Sequence, residues 1–192
     1  MKIFLGLFCL LVSGFATAQE VSLAHDERGK LLHYEIVEVS ETSKDKLQDR
    51  ALAFFKNSPH VKLKSKPSDT LMRAEGKMVI NKTALVLNRP SGEIKYNFYV
   101  ECRENKYRFW LTDFTFIPYQ RDRYGNFVAA TTVGTPLETE PGKLNAAEWK
   151  GYVNSTAKES AAFSIRFKDY MLNKEEIKPA VPPVEKISTV KW

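Results

Sequence analysis

From Ile94 to Cys102 apolar and polar positions alternate so that Ile94, Tyr96, Phe98, Val100 and Cys102 share one face of an extended strand, while Lys95, Asn97, Tyr99 and Glu101 share the other. That is a strand buried on one side. The next segment, KYRFWLTDFTFI from Lys106 to Ile117, reads as its neighbour, with Arg103 to Asn105 as the turn. Upstream, VKLKSK (Val61 to Lys66) alternates strictly, Pro67-Ser68-Asp69 turns the chain, and LMRAEGKMVI (Leu71 to Ile80) completes a hairpin. Gly76 inside that strand marks a bulge or a close backbone approach. Asn88 to Gly92, NRPSG, reads as the turn into the following strand, and LHYEIVEV (Leu32 to Val39) as the first strand of the domain.

Two stretches have helical spacing instead. Thr42 or Ser43 caps the first, Asp45 sits in its first turn, and Leu47, Ala51, Phe54 and Phe55 form its apolar stripe before Asn57-Ser58-Pro59 stops it. In the second, beginning at Ala146, Trp149, Val153, Thr156, Ser160, Phe163, Phe167 and Met171 recur every three or four residues. Pro118 to Asn145 shows no sustained period and reads as a long connection, a kind of segment that is either functional or mobile. After Leu172 the tail from Asn173 to Trp192 holds three prolines and scattered charge, and is expected to be disordered. The order is therefore β-α-β-β-β-β-α, an α+β fold in which a single antiparallel sheet of about five strands carries both helices on one face.

The N-terminus changes the setting. Lys2, the apolar run Ile3 to Val12 and Ala16-Thr17-Ala18 have the form of a signal peptide cleaved near Ala18, followed by an N-terminal arm from Gln19 to Leu31. The apolar run is shorter than the roughly 20 residues needed to span a bilayer, so no transmembrane segment is expected in the mature chain. The location implied is secreted or periplasmic. With Cys9 in the signal, Cys102 is left alone and cannot form an intramolecular disulfide. A formal charge of +6 is modest. Lysines and arginines alternate with carboxylates in SKDKLQDR and KEEIK, so no nucleic-acid partner is expected.

Little chemistry is written in the chain. His25, His33 and His60 have no second ligand at metal spacing, and there is no nucleophile elbow, phosphate loop or paired-cysteine motif. No cofactor and no metal are expected. Cys102 falls among inward-facing apolar positions and reads as a small buried hydrophobe. Glu101 and Asp113 are the one carboxylate pair that an envelope hydrolase could use, although a strand glutamate near Arg103, Lys106 and Arg108 is more commonly a cross-strand charge partner.

The aromatic residues are the stronger signal. Eleven of the chain's 23 lie between Tyr96 and Phe127, and a two-residue period must send some to each face of the sheet, so helices on one face cannot cover them all. Tyr96, Phe98, Tyr107, Phe109 and Leu111 belong to the helix-covered face. Tyr99, Arg108 and Trp110 fall on the other, and Phe114 and Phe116 are placed with them, although Asp113 interrupts the alternation and leaves the register after Thr112 open. Such a set is either covered by the 118–145 loop or the arm, or is a contact surface for another envelope protein, a peptide or a glycan. An open sheet edge adds a route to a homodimer, and a purely structural or scaffold role fits a face covered in such a dimer.

The segments AEGKMVI, YNFYVECRENKYRFWLTDF and TPLE, in this order of elements behind an export signal, resemble the bacterial family of domains of unknown function numbered 4468, over about Leu32 to Leu172. That resemblance implies a TATA-binding-protein-like (TBP-like) fold, a curved antiparallel sheet with two helices on one side, and an envelope or secreted setting. It implies no activity and no site residues. A shared sheet architecture says nothing about DNA.

Overall fold

The computed structural model describes residues 22–65, 70–84, 87–142 and 145–172. The signal peptide expected at Met1 to Ala18 and the tail expected from Asn173 onward lie outside the described residues. The elements, in chain order, are β1 (Ala24–His25), β2 (Leu31–Glu38), α1 (Lys44–Asn57), β3 (Val61–Leu63), β4 (Leu71–Ala84), β5 (Leu87–Arg103), β6 (Lys106–Arg121), β7 (Phe127–Ala129), β8 (Thr135–Pro136) and α2 (Ala146–Leu172). The sheet is antiparallel and runs β1-β2-β6-β5-β4-β3, with β7 and β8 also pairing β6.

Both helices pack on one face. Phe98 of β5 meets Phe54 of α1 at 6.3 Å between ring centroids, and Phe163 and Phe167 of α2 at 4.9 and 5.1 Å. One inward ring touching both helices places them on the same side. The inward positions of β5, Ile94 to Cys102, are buried as the alternation requires, and so are Tyr107, Phe109 and Leu111 of β6. Each of these large side chains contributes about 1.5–3 kcal/mol by leaving water. On α2 the buried stripe includes Ala157, Ser160 and Ser164, small residues that let the helix lie close to the sheet.

The helix termini are held by particular side chains. Ser43 caps α1 by accepting from Lys46 N, and Glu104, at the tip of the β5–β6 hairpin, accepts from Lys44 N at 3.1 Å. Asn105 takes a left-handed φ of 59° in that tip and exchanges hydrogen bonds with Thr42, fixing the hairpin against the start of α1. On the inward face of β2, Glu35 accepts from Lys168 Nζ at 2.6 Å, from Ser164 Oγ and from His33 Nε2 at 3.0 Å. Burial pushes its carboxyl up, but the bonds from Lys168 and Ser164 outweigh that and hold it below the ordinary range.

Three expectations are corrected. Among the described residues the sheet has eight strands, because the arm supplies β1 and the 118–145 segment supplies β7 and β8. That segment is no structureless connection: β6 runs on to Arg121, β7 folds back along it, and β8 pairs with Thr115 and Phe116. The third concerns NRPSG. Asn88 to Gly92 belongs to β5 and continues the pairing with β4, with a bulge between Ile80 and Asn81. Pro90 is tolerated there because β6 pairing ends at Gly92, so the proline faces no second ladder that would need its N–H.

Candidate functional site

Tyr99, Trp110 and Tyr34 stand in one row across β5, β6 and β2, because Tyr99 pairs with Trp110 and Trp110 with Tyr34. The Tyr99 and Trp110 rings are stacked at 5.1 Å and 13°, and Tyr34 meets Trp110 at 6.3 Å with a tilt of 40°. Arg73 of β4 extends the row beyond Tyr99 and donates to Asn97 Oδ1 at 3.2 Å. In the next row Ile36, Arg108, Glu101 and Leu71 lie side by side. Arg108 sits over the Trp110 ring at 5.4 Å and bonds Glu101. Arg103 bonds the same carboxylate at 3.1 Å.

All of this is on the face without helices, and it is open. Ile36 is 61% exposed, Tyr34 42% and Leu71 43%, an unusual concentration of apolar surface on one side of a sheet. Tyr99 and Trp110 are half-buried, mainly against each other and their neighbours in the row. The 118–145 segment covers only the far end. Gly134 packs there so closely that an added Cβ would stand 2.3 Å from Thr115 and 2.9 Å from Ile117, and Ile117 is buried beneath it.

Phe114 and Phe116 are not part of this face. Two residues of β6, Asp113 and Phe114, stand opposite Tyr96 alone, since the register moves from Asn97↔Thr112 to Lys95↔Thr115. Asp113 takes a left-handed φ of 55° at that bulge. The extra residue reverses the alternation, so Phe114 and Phe116 turn inward and are buried. Phe116 stacks on Tyr152 of α2 at 4.1 Å, and Phe114 packs against Tyr96. Placing the two phenylalanines on the helix-free face was the continuation of a period that the bulge breaks.

The carboxylate pair does not come together. Glu101 faces Arg108, whereas Asp113 accepts from Asn97 Nδ2 at 2.8 Å, four residues farther along β5 and hence about 13 Å away along the strand. The Arg108 hydrogen bond, joined by that of Arg103, holds Glu101 below its ordinary pKa, so it is an ionised charge partner and a poor general acid near neutral pH. Cys102 is buried, and burial pushes its thiol up to about 12, far from a reactive thiolate. Among the described residues no three His, Cys, Asp or Glu side chains gather as metal ligands, and no helix is long and apolar enough to cross a membrane.

Besides Arg73 and Leu71 of β4, two residues of β2 on this face were not singled out from sequence. Tyr34 and Ile36 stand at outward positions of β2, and their exposure follows from strand order: β2 pairs with β6 and shares its open side. The alternation of LHYEIVEV carries them, but only the pairing shows that they join Trp110. A hollow of about 590 Å³ continues the face toward β3, lined by Lys62, Arg73, Lys77 and Lys95 together with Glu75, Glu93 and Asp113.

Residues 33–117 match the model of a domain of unknown function (DUF4468) with TBP-like fold. Among solved structures, a TBP-like protein from Parabacteroides distasonis is 18% identical, covers 78% of this chain and 97% of its own, and superposes with a TM-score of 0.56. A DUF4468 family protein from Bacteroides ovatus is 11% identical, covers 82% of this chain and 94% of its own, and has the same TM-score of 0.56. At such identities the likeness is one of fold. No curated protein matches the chain.

Proposed function

We propose that this chain, which carries over residues 33–117 the DUF4468 domain with its TBP-like fold, is a non-catalytic binding module of the cell envelope that recognises its partner through the helix-free face. The single observation behind this reading is the row Tyr34, Trp110 and Tyr99, left uncovered by both helices and by the 131–136 segment, with Arg108 and Arg73 at its margin. Flat rings of low conformational entropy beside guanidinium donors suit a partner with a planar apolar surface and nearby acceptors, such as the face of a sugar ring or an extended peptide. The export signal read in Met1 to Ala18 favours a partner outside the cytoplasm over nucleic acid.

Trp110 supplies the assay. Soluble cell-wall glycans and acidic-apolar peptides are titrated against the chain from Gln19 to Trp192, reading tryptophan emission and calorimetric heat. A saturable response that disappears in the variant Tyr34→Ala, Tyr99→Ala, Trp110→Ala supports the reading. Equal binding by wild type and this variant, with unchanged circular dichroism, overturns it. N-terminal sequencing of the chain recovered from the envelope fraction tests the export signal; a mature chain starting at Met1 would refute it.

A further inference from the structure

A different surface, independent of the helix-free face, is formed by the outer edge of β4. This strand pairs with β5 along its length from Leu71 to Ala84, but among the described residues β3 and the two residues after it cover its other side only from Arg73 to Gly76. Lys77 N still donates to His60 O at 3.2 Å. Two residues on, alternation points the Val79 N–H and C=O to that same side, where among the described residues nothing pairs with them. Beside this edge lies a groove of about 700 Å³, with Phe54, Met78, Tyr96 and Phe163 as its apolar lining and Arg166 and Tyr170 on the α2 side. A free row of backbone donors and acceptors next to an apolar slot is what an added strand uses, taking affinity from the ladder and specificity from alternate side chains.

The chain itself points to the occupant. α2 follows the groove from Glu159 to Tyr170, about 16 Å of helix, and ends at Leu172. Its last turn is tied down there: Arg50 donates to Met171 O at 2.7 Å, and Asn57 Nδ2 to the Tyr170 hydroxyl at 2.8 Å. Whatever follows Leu172 therefore leaves from one end of the groove. Pro179, Pro182 and Pro183 lack the N–H a ladder needs, so a pairing segment has to come after them. VEKISTVKW does, with β-branched Val184, Ile187, Thr189 and Val190. Its period of two sets Ser188, Val190 and Trp192 on one side. The stretch from Asn173 to Lys186 reaches up to about 50 Å when extended, several times what is needed.

We propose that Ile187 to Trp192 seats as an added strand on the β4 edge at Val79 and places Val190 and Trp192 in the groove. The test is amide hydrogen exchange on the chain from Gln19 to Trp192 and on its variant Val190→Asp, Trp192→Asp. The Val79 amide is expected to exchange at least tenfold more slowly in the wild type, with Phe98 equally protected in both. Adding a peptide of residues 184–192 to the variant should restore the slow rate. Equal exchange of Val79 in wild type and variant overturns the proposal. So does protection that grows with protein concentration as the mass doubles, which would give the edge to a second copy.

Discussion

Asp113 is the residue on which the division between core and open face turns, and replacing it by valine tests that directly. At a φ of 55° an L-residue with a branched Cβ crowds its own carbonyl, a cost of about 1–2 kcal/mol. Valine also removes the acceptor of the 2.8 Å bond from Asn97 Nδ2, worth about 1 kcal/mol. The sum is about 2–3 kcal/mol. Straightening the strand offers no escape, because it would turn Phe114 and Phe116 out of the core at about 3 kcal/mol or more each. Asp113→Gly loses the same bond but relieves the left-handed strain, so its cost should fall below about 1 kcal/mol. Urea unfolding reads the difference. At a slope of about 2 kcal/mol per molar, Asp113→Val should lower the midpoint by about 1–1.5 M with the slope unchanged, and Asp113→Gly by less than about 0.5 M. If the two variants unfold together, the left-handed residue is not what holds the bulge.

Other outcomes follow from the packing and from the Glu35 cluster. Gly76→Ala would put a Cβ 2.4 Å from the Tyr96 ring, which is backed by Phe114 and Phe163, so it should cost about 1–3 kcal/mol in denaturant unfolding, and much less in a Tyr96→Leu background. Because the Glu35 carboxyl is held below its ordinary value of 4.5, its contribution is complete above that value and is lost as pH falls through the lower folded value. Lys168→Met should therefore cost about 1–2 kcal/mol at neutral pH and progressively less in acid, as measured by the thermal midpoint against pH. Trp110→Ala should cost only about 1 kcal/mol where Phe98→Ala costs about 3–5, so thermal scans of the two variants separate the open face from the core.

The parts of the fold visible in the sequence are those where one local period runs unbroken. Ile94 to Cys102 and the two helical stripes state which side is buried without knowledge of any neighbour, and Phe98 then joins both helices on that side. Three things defeated the same reasoning. Asp113 takes a conformation usually signalled by glycine, so the chain carries no obvious mark of the bulge. Pro90 and Gly92 are ordinary turn residues, and Pro90 is harmless in β5 only because the pairing with β6 ends at Gly92. β7 and β8 span three and two residues, too few to show a period. The Glu35 cluster had a fainter signal. A glutamate on the inward face of β2 needs a partner, and Ser164 and Lys168 are four residues apart on one face of α2, but only tertiary packing brings them together.

The bulge also explains why the open window has the limits it has. Before Asp113 the odd residues of β6 feed the core and the even ones, Arg108 and Trp110, face outward; after it the roles exchange. The inward side then receives Phe116, which meets Trp149 and Tyr152 and anchors the first turns of α2, while Trp149 Nε1 donates to Leu137 O at 3.0 Å and ties down the segment after β8. The outward side receives Thr115 and Ile117, small or aliphatic, over which Gly134 lies flat. Had the alternation continued unbroken, Phe114 and Phe116 would extend the row of exposed rings, and the segment would have no flat surface to cross. One added residue thus lets the chain cover the sheet at one end and leaves Tyr34, Tyr99 and Trp110 as a row of rings outside, bounded by the 131–136 segment on one side and by the Arg108–Glu101–Arg103 charges on the other.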